Sequence, residues 1–447
     1  MHRPQIDSRQ TQHNALDEVV KSTGDAGPSP SVRHEPSSRQ LLRIEKTPVP
    51  SPYLANKHSR LTMHQLVAKT ATTVFPLASR SFVDRLIVSA VENLPLLYAL
   101  LACFGNHHAR RTIASSSESE ETTLTFTNHA IAGLRAALNS KTMTAETLMT
   151  AMTLCTNDVC NGNLDVFRIH LKAIRQMLSS FINTLPAGEK SPDQDLLNVY
   201  LMKWFAALDV SASLSLFYQN QQNDQQKFLS WNNHQFFNPS DDVVDDICGY
   251  SLNLVPIFSK IGCLARIQYE RSSTIVDQEK NTQSACSPLD LTDQTQSLET
   301  RLESLPSPRI SVGVWTSQQR ELVEELRDTH PAFVHTALLH LHRRVQLLSK
   351  CHPKVRKDVT SILRVVKKVR PFSPANVLLI WPLFSAGCET DSTSERAVID
   401  ERMSIMQSLG MGNFTRGREA LHKYWESGTS LRWDVFLAQS GIDLVLF

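Results

Sequence analysis

The chain has 447 residues, enough for two or three average domains or for one large helical domain. Hydrophobic residues make up 41% and charged residues 20%, so a sizeable core can form. The formal net charge of +2 excludes a protein that grips nucleic acid along its whole surface, although a local basic patch is compatible with it.

The first sixty residues have the composition of a disordered segment. Seven of the 21 prolines lie there, and no apolar residues recur at a helical or strand period. We therefore expect residues 1–60 to form a disordered arm. Its polar start does not have the pattern of a signal peptide.

The eight cysteines form no Cys-x-x-Cys pair. Most lie in apolar helical segments, where a free cysteine behaves as a small hydrophobic residue. This pattern favours reduced thiols in an intracellular protein.

Apolar periodicity begins after residue 60. The spacing predicts helices over 61–111, with Pro95 separating two of them, and over 126–138, with Ala130, Leu134 and Leu138 on one face. Residues 115–121 are predicted to be a polar loop. A helical hairpin follows, in which residues 146–160 and 166–178 are antiparallel neighbours because Gly162 permits a tight turn between them.

The middle of the chain alternates helical and polar stretches. We predict a long helix over 196–217 and one or two helices within 241–269. Residues 271–310 are rich in Ser, Thr, Gln, Asp and Pro, so we expect a mostly disordered, flexible insertion with a weak helix near 298–305.

Two further helices carry apolar stripes with a 4, 3, 4, 3 spacing. The stripes are Val334, Leu338, Leu341, Val345 and Leu348, then Val355, Val359, Ile362, Val366 and Val369.

Residues 374–388 are the most apolar stretch, with no charged residue between Asn376 and Cys388. A helix that is apolar on every side must be buried, and this one is too short to cross a bilayer. We predict that it is the innermost helix, with a kink or a first-turn position at Pro382. No strand pattern of useful length is present, so the predicted class is all-α, with residues 61–447 as one large multi-helix domain.

One acidic motif raises the alternative of an enzyme. Asp241, Asp242 and Asp245 form Asp-Asp-x-x-Asp, which on a helix can hold Mg²⁺, as in all-α terpene synthases. The companion motif is poor, because Asn161 replaces a hydroxyl residue, Gly162 interrupts the helix, and the two motifs occur in reversed order. The simpler interpretation is a loop whose acids cap a helix N-terminus.

Four histidines crowd one predicted helix, namely His330, His335, His340 and His342. Their gaps of five, five and two residues do not place neighbours on one face, so we interpret them as scattered surface or interface residues rather than zinc ligands.

The most basic segment follows, and its members are Lys354, Arg356, Lys357, Arg364, Lys367, Lys368 and Arg370. They are most simply the solvated face of an amphipathic helix, with nuclear import or phosphate contact as the alternative.

Several segments, taken in order, resemble the fungal-specific transcription factor domain that accompanies zinc-cluster regulators. They are residues 86–103, 146–178, 204–210, 338–344, 379–389 and 432–436, and the resemblance spans about 65–447.

This resemblance implies an all-helical regulatory domain of a nuclear transcription regulator, with no catalytic, cofactor-binding or metal-binding residues and no cofactor. It implies that the partners are other transcription factors or co-regulators and that the protein does not contact a membrane. We also expect a small-molecule effector. Such proteins usually carry an N-terminal Zn2Cys6 cluster, but no cysteine precedes Cys103. Direct sequence-specific DNA binding is therefore not expected. Either that module was lost or omitted, or the protein acts through a partner. The alternatives are the Mg²⁺-dependent terpene-synthase-like enzyme and a cytosolic helical scaffold.

Overall fold

The computed structural model describes residues 54, 57–65, 80–111, 117–140, 143–184, 192–213, 215, 242–245, 247–274, 288–310 and 317–446. The predicted arm therefore lies almost entirely outside the described residues. Within the described part, sixteen α-helices form and no strand does, which confirms the all-α prediction. The only pairings of strand type there are two isolated bridges, Val243–Arg309 and Val244–Ser251.

The first seven helices precede the bridged segment. They are α1 (Lys57–Gln65), α2 (Arg80–Glu92), α3 (Leu94–Arg111), α4 (Ser117–Asn139), α5 (Ala145–Asn161), α6 (Leu164–Thr184) and α7 (Pro192–Ser213).

The remaining nine helices follow it. They are α8 (Val255–Thr274), α9 (Pro288–Glu303), α10 (Ser317–His340), α11 (Pro353–Lys368), α12 (Pro374–Leu378), α13 (Ile380–Cys388), α14 (Thr393–Gln407), α15 (Gly412–Ser427) and α16 (Trp433–Gln439).

Helix α13 is the innermost element. All nine of its residues are buried, and it packs against α10, α11, α14 and α15. The predicted single helix is divided at Leu379, where α12 ends and α13 begins. Pro382 is the third residue of α13, where its missing N–H has no partner to lose, so the expected first-turn position is confirmed.

The hairpin of α5 and α6 is also confirmed. Gly162 adopts a left-handed conformation with φ of 79°, and its N–H donates to the carbonyls of the last turn of α5. The N–H of Asn163 donates to the carbonyl of Asp158 at 2.8 Å. This arrangement closes the helix end and reverses the chain.

The helices share one continuous core that reaches from Leu54 to Leu446. All described residues belong to one compact unit, residues 50–447. Among the described helices, none has both the length and the hydropathy needed to cross a bilayer.

Several details differ from the expectations. Helix α4 begins at Ser117, inside the predicted loop, and Leu138 at its end is 39% exposed rather than facing the core. Helix α9 occupies residues for which the composition predicted mostly flexible chain. A stripe that includes Leu291 and Leu302 buries this helix against its neighbours, so residues 288–310 are part of the folded domain.

Candidate effector pocket and its ion-pair network

Helix α10 does not end in an ordinary α-helical turn. The next residues, Leu341–Val345, form a π turn, in which the N–H of Gln346 donates to the carbonyl of Leu341 at 2.9 Å. Such a turn contains one residue more than an α-helical turn and is frequent at functional sites. All five residues are buried, and the central three are basic. Burial of polar side chains is tolerated only where each finds partners.

The first basic residue, His342, connects two helices. Its Nδ1 lies 2.7 Å from Oδ2 of Asp358 in α11, and its Nε2 lies 3.2 Å from Oε1 of Glu299 in α9. His335, two turns earlier in α10, places its Nδ1 2.9 Å from the other oxygen of Asp358. The buried carboxylate of Asp358 therefore fixes α11 against α10.

The buried carboxylate of Glu299 accepts hydrogen bonds from several side chains. Burial opposes its ionisation, but hydrogen bonds from Lys354, Gln346 and His342 outweigh that effect and hold its pKa at about 2. The donation from Gln346 Nε2 is 3.0 Å long. Glu299 thus ties α9, for which the composition predicted only a weak helix near 298–305, to the π turn.

The second basic residue, Arg343, pairs with Glu389 at the end of α13. Its Nε donates to Oε2 of Glu389 at 2.5 Å, where 8% and 1% of the two side chains are exposed. Burial raises the pKa of Glu389 to about 7, although the Arg343 charge acts in the opposite direction. Arg343 also donates to the carbonyl of Leu348, just after Leu347, whose φ of 58° is unusual for a residue other than glycine.

The third basic residue, Arg344, pairs with Asp434 in the first turn of α16. Its Nε donates to Oδ2 of Asp434 at 3.0 Å, and its guanidinium lies 5.3 Å from the centre of the Trp433 ring. Arg432 donates to Oδ1 of the same carboxylate at 2.9 Å. Burial acts to raise the pKa of Asp434, but the two guanidinium charges outweigh it and the pKa lies below its usual value.

His340 continues this pair into the core. Burial, reinforced by the Arg344 charge, holds the pKa of His340 well below its usual value, so the ring is neutral. Nη1 of Arg344 donates to its Nδ1 at 3.2 Å, which leaves Nε2 to donate to the hydroxyl of Ser385, 2.9 Å away in α13. The Asp434 carboxylate is therefore connected to the innermost helix through two hydrogen-bonded side chains.

A small cavity of about 40 Å³ lies beside Asp434. Its walls are aromatic and aliphatic, with two hydroxyls and one carboxylate. They are formed by Ser211, Ser215, Trp381, Phe384, Trp433, Asp434, Leu437, Ile442, Leu444 and Leu446. A concave, mostly apolar site with few convergent polar groups is the usual form of a small-molecule site.

The C-terminal segment forms one wall of this pocket, and an ion pair holds it in place. Arg168 of α6 donates to both carboxylate oxygens of Asp443, the shortest contact being 2.7 Å. The hydroxyl of Ser215 donates to Oδ1 of Asp443 at 2.8 Å. The wall is therefore attached to the domain by polar side chains rather than by regular secondary structure.

The acidic motif from the sequence does not have the helical geometry that metal binding would require. Asp242 and Asp245 lie in the extended, bridged segment, and Asp241 lies outside the described residues. Asp242 accepts from Ser251 and Asn253, while Asp245 accepts from the N–H groups of Ile247 and Cys248. These carboxylates organise a turn, so the predicted loop is confirmed, but the predicted helix cap is wrong, because residues 247–250 are not helical. In the described part of the chain, no group of three or more potential ligands is placed to hold a metal ion.

The surface interpretation of the four histidines is wrong. His330, His340 and His342 are at most 4% exposed, and His335 is partly buried against Asp358. They lie inside because acids from distant parts of the chain, which local periodicity does not reveal, provide their partners. The sequence carries one signal of this burial, because three basic residues lie between Leu341 and Val345, which belong to the apolar stripe.

Comparison with known proteins gives one family. The model of the fungal-specific transcription factor domain matches residues 64–447. No curated protein and no solved structure matches the chain.

Proposed function

We propose, from the premise that the chain belongs to the fungal-specific transcription factor domain family, that it is a nuclear transcription regulator whose helical domain is the regulatory part. The family supports a role in regulating transcription rather than in catalysis. The observation that carries the proposal is the extent of the match, because residues 64–447 contain fifteen of the sixteen described helices in full.

The protein would act on genes together with partners. Cys103, Cys155, Cys160 and Cys388 are buried in helices of the domain, and the described residues contain no group of ligands of the kind that forms a Zn2Cys6 cluster. Other transcription factors or co-regulators are the partners that the family supports.

The pocket beside Asp434 would receive a small apolar effector. Three aromatic rings, those of Trp381, Phe384 and Trp433, supply stacking surface, and the hydroxyls of Ser211 and Ser215 supply polar contacts. The Asp434 carboxylate is already paired with two guanidinium groups, so a cationic ligand would gain little from it. A neutral or weakly anionic molecule fits this charge distribution better.

An effector could act through the Arg344–Asp434 pair. A ligand in the pocket contacts Trp433 and Asp434, and these residues contact Arg344 in the π turn. The π turn in turn positions α9, α11 and the end of α13. A ligand shifts such an arrangement only by the difference in its affinity for two states, so its effect depends on contacts with these residues.

The regulatory role is tested in cells. We expect a fluorescently tagged chain to accumulate in the nucleus, and a deletion strain to show altered abundance of a defined set of transcripts. Exclusion of the tagged chain from the nucleus, together with unchanged transcripts, would contradict the proposal and favour the cytosolic scaffold.

The pocket is tested by thermal shift with candidate apolar metabolites. We expect at least one compound to raise the melting temperature of the wild type, and Leu437→Trp, which fills the pocket, to abolish the shift. Leu431→Trp is the matched control, because Leu431 is 39% exposed and does not line the pocket. The effector site is refuted if no compound shifts the wild type, or if the shift survives in Leu437→Trp.

A further inference from the structure

Helix α11 presents a surface of cations and hydroxyls to solvent. We call this surface the α11 cationic face and define it as Lys357, Thr360, Ser361, Arg364, Lys367 and Lys368. Ser361 is partly buried and the other five are exposed. At 3.6 residues per turn, four of them, Lys357, Ser361, Arg364 and Lys368, fall within about 60° of one another around the helix axis.

The opposite face of α11 is rigidly held. Val355, Val359, Ile362 and Val366 are fully buried, and Asp358 is hydrogen-bonded to two histidines of the preceding helix and π turn. The backbone that carries the α11 cationic face is therefore fixed before binding, and only its exposed side chains have to be ordered.

Helix stability does not explain this charge arrangement. Lys367 and Lys368 lie in the last turn, where cations interact favourably with the helix dipole. Lys357 and Arg364 lie earlier, where that benefit is absent, and Arg364 stands one turn from two other cations of like charge. The only acid of this helix, Asp358, points into the core.

The charges of the face are only partly neutralised. Lys368 forms an ion pair with Asp328 at 2.9 Å, at the C-terminal edge. Burial acts to raise the pKa of the Glu395 carboxyl, but its hydrogen bonds and nearby positive charges outweigh this effect and lower it. The charge of Lys367 is one of those nearby charges. Within the described residues, Lys357, Arg364 and Lys367 form no salt bridge with a carboxylate.

We propose that the α11 cationic face binds the phosphodiester backbone of double-stranded DNA without reading its sequence. This inference rests on the proposed function, because a nuclear transcription regulator is held beside duplex DNA. The face would supply a general electrostatic part of the affinity, which carries no choice of site.

The chemistry of the face favours phosphates over a protein partner. Every polar side chain on it is a hydrogen-bond donor, and lysine, arginine, serine and threonine are the usual phosphate contacts in DNA complexes. No aromatic or large aliphatic side chain of α11 is exposed. Protein interfaces need such anchors at their centre and are depleted in lysine.

The dimensions also suit a backbone. Lys357 and Lys367 are ten residues apart, about 15 Å along the axis at 1.5 Å per residue, with Arg364 between them. Each strand of duplex DNA presents a phosphate about every 3.4 Å along its axis, so several phosphates lie within that length. We therefore expect three phosphate contacts, one each from Lys357, Arg364 and Lys367.

The test measures binding of the full chain to a fluorescein-labelled 20-base-pair duplex of arbitrary sequence by fluorescence anisotropy. We expect binding at about 50 mM salt, and a plot of log K against log salt concentration with a slope of roughly −2.7, or 0.9 for each of three contacts. The variant Lys357→Gln/Arg364→Gln/Lys367→Gln should bind at least about tenfold more weakly and lose most of the slope.

The matched control is Lys172→Gln/Lys260→Gln/Lys423→Gln. These three lysines are exposed on α6, α8 and α15, so both triple variants reduce the net charge of +2 by the same three units. The control should bind like the wild type. Equal losses in both variants, or no binding by the wild type at about 50 mM salt, would overturn the proposal.

Two competitors identify the kind of polyanion. Duplex RNA that binds about tenfold more tightly than DNA would assign the face to RNA, and polyglutamate that displaces the duplex at equal charge concentration would assign it to an acidic protein. Either result overturns the proposal. Localisation and transcript changes do not depend on this assay, so its failure is distinguishable from failure of the proposed function.

Discussion

Arg344 and Asp434 form an ion pair across 90 residues of sequence, with Nε of Arg344 3.0 Å from Oδ2 of Asp434 and only 0% and 1% of their side chains exposed. The pair joins the π turn at the end of α10 to α16, and Asp434 also lines the pocket. One buried contact therefore links the candidate effector site to the centre of the domain.

Loss of one partner of this pair should be strongly destabilising. We expect Asp434→Ala to lower the free energy of unfolding by about 3–5 kcal/mol, because it leaves the Arg344 guanidinium buried without its carboxylate. Urea unfolding followed by circular dichroism measures this change. Asp391→Ala is the control, since this acid is 70% exposed in its ion pairs and should cost less than about 1 kcal/mol. A similar loss of unfolding free energy in the two variants would contradict a stabilising role of the buried Arg344–Asp434 pair.

His330 should make the fold sensitive to mild acid. Its Nδ1 accepts a hydrogen bond from the N–H of Ser251 at 3.1 Å, which requires an unprotonated nitrogen. Burial lowers the pKa of His330 to about 4, although the Asp242 charge acts in the opposite direction.

The unfolded chain therefore binds a proton near pH 6.5, while the folded chain does so only near pH 4. The stabilisation from neutral His330 is present above pH 6.5 and is lost as the pH falls towards 4, by about 3 kcal/mol at most. Unfolding free energies of wild type and His330→Gln, measured between pH 7 and 4, should converge as the pH falls. Parallel curves would show that His330 contributes nothing to the pH dependence.

The buried cysteines should react much more slowly with iodoacetamide than the exposed Cys351. Burial raises the pKa of Cys103 to about 12 and also raises the pKa values of Cys155, Cys160, Cys248 and Cys388. The thiolate is the reactive form, so these thiols should resist iodoacetamide in the native protein. Cys351 is exposed and should be alkylated first, as peptide mass spectrometry would show. Rapid modification of Cys155 before unfolding would contradict the described packing.

The turn between α5 and α6 should depend on glycine. Gly162→Ala is expected to cost about 1–2 kcal/mol, because φ is 79° and an added Cβ would also meet the side chain of Arg416. Gly428→Ala is the matched comparison, since Gly428 has φ of 56° but no atom within 4 Å of the added Cβ. Thermal unfolding of both variants separates the backbone strain from the displacement of Arg416. A larger loss of stability in Gly428→Ala than in Gly162→Ala would refute the contribution of the contact with Arg416.

The sequence predicts those features of the fold that depend on nearby residues. The charge-free stretch around Leu383 predicts the innermost helix, and Gly162 predicts the hairpin, because local periodicity and backbone freedom decide both. It does not predict the burial of α9, since Glu299 is tolerated inside only through donors that lie more than 40 residues away.

The candidate site is less visible in the sequence for the same reason. Trp433 and Trp381 stand out as family markers, but their approach to one pocket depends on the packing of α13 against the C-terminal helices. The π turn is also hidden, because the apolar stripe through Leu341 and Val345 has the same spacing as an ordinary helix would give.

The π turn has a consequence for how this domain tolerates changes in length. Deleting one residue from Leu341–Val345 would convert the π turn into an ordinary α-helical turn, in which His342, Arg343 and Arg344 would not all keep their present directions towards Asp358, Glu389 and Asp434. A single substitution affects one of these pairs, whereas a one-residue deletion affects the turn that carries all three. The number of residues in this segment is therefore constrained more tightly than the identity of any one of them.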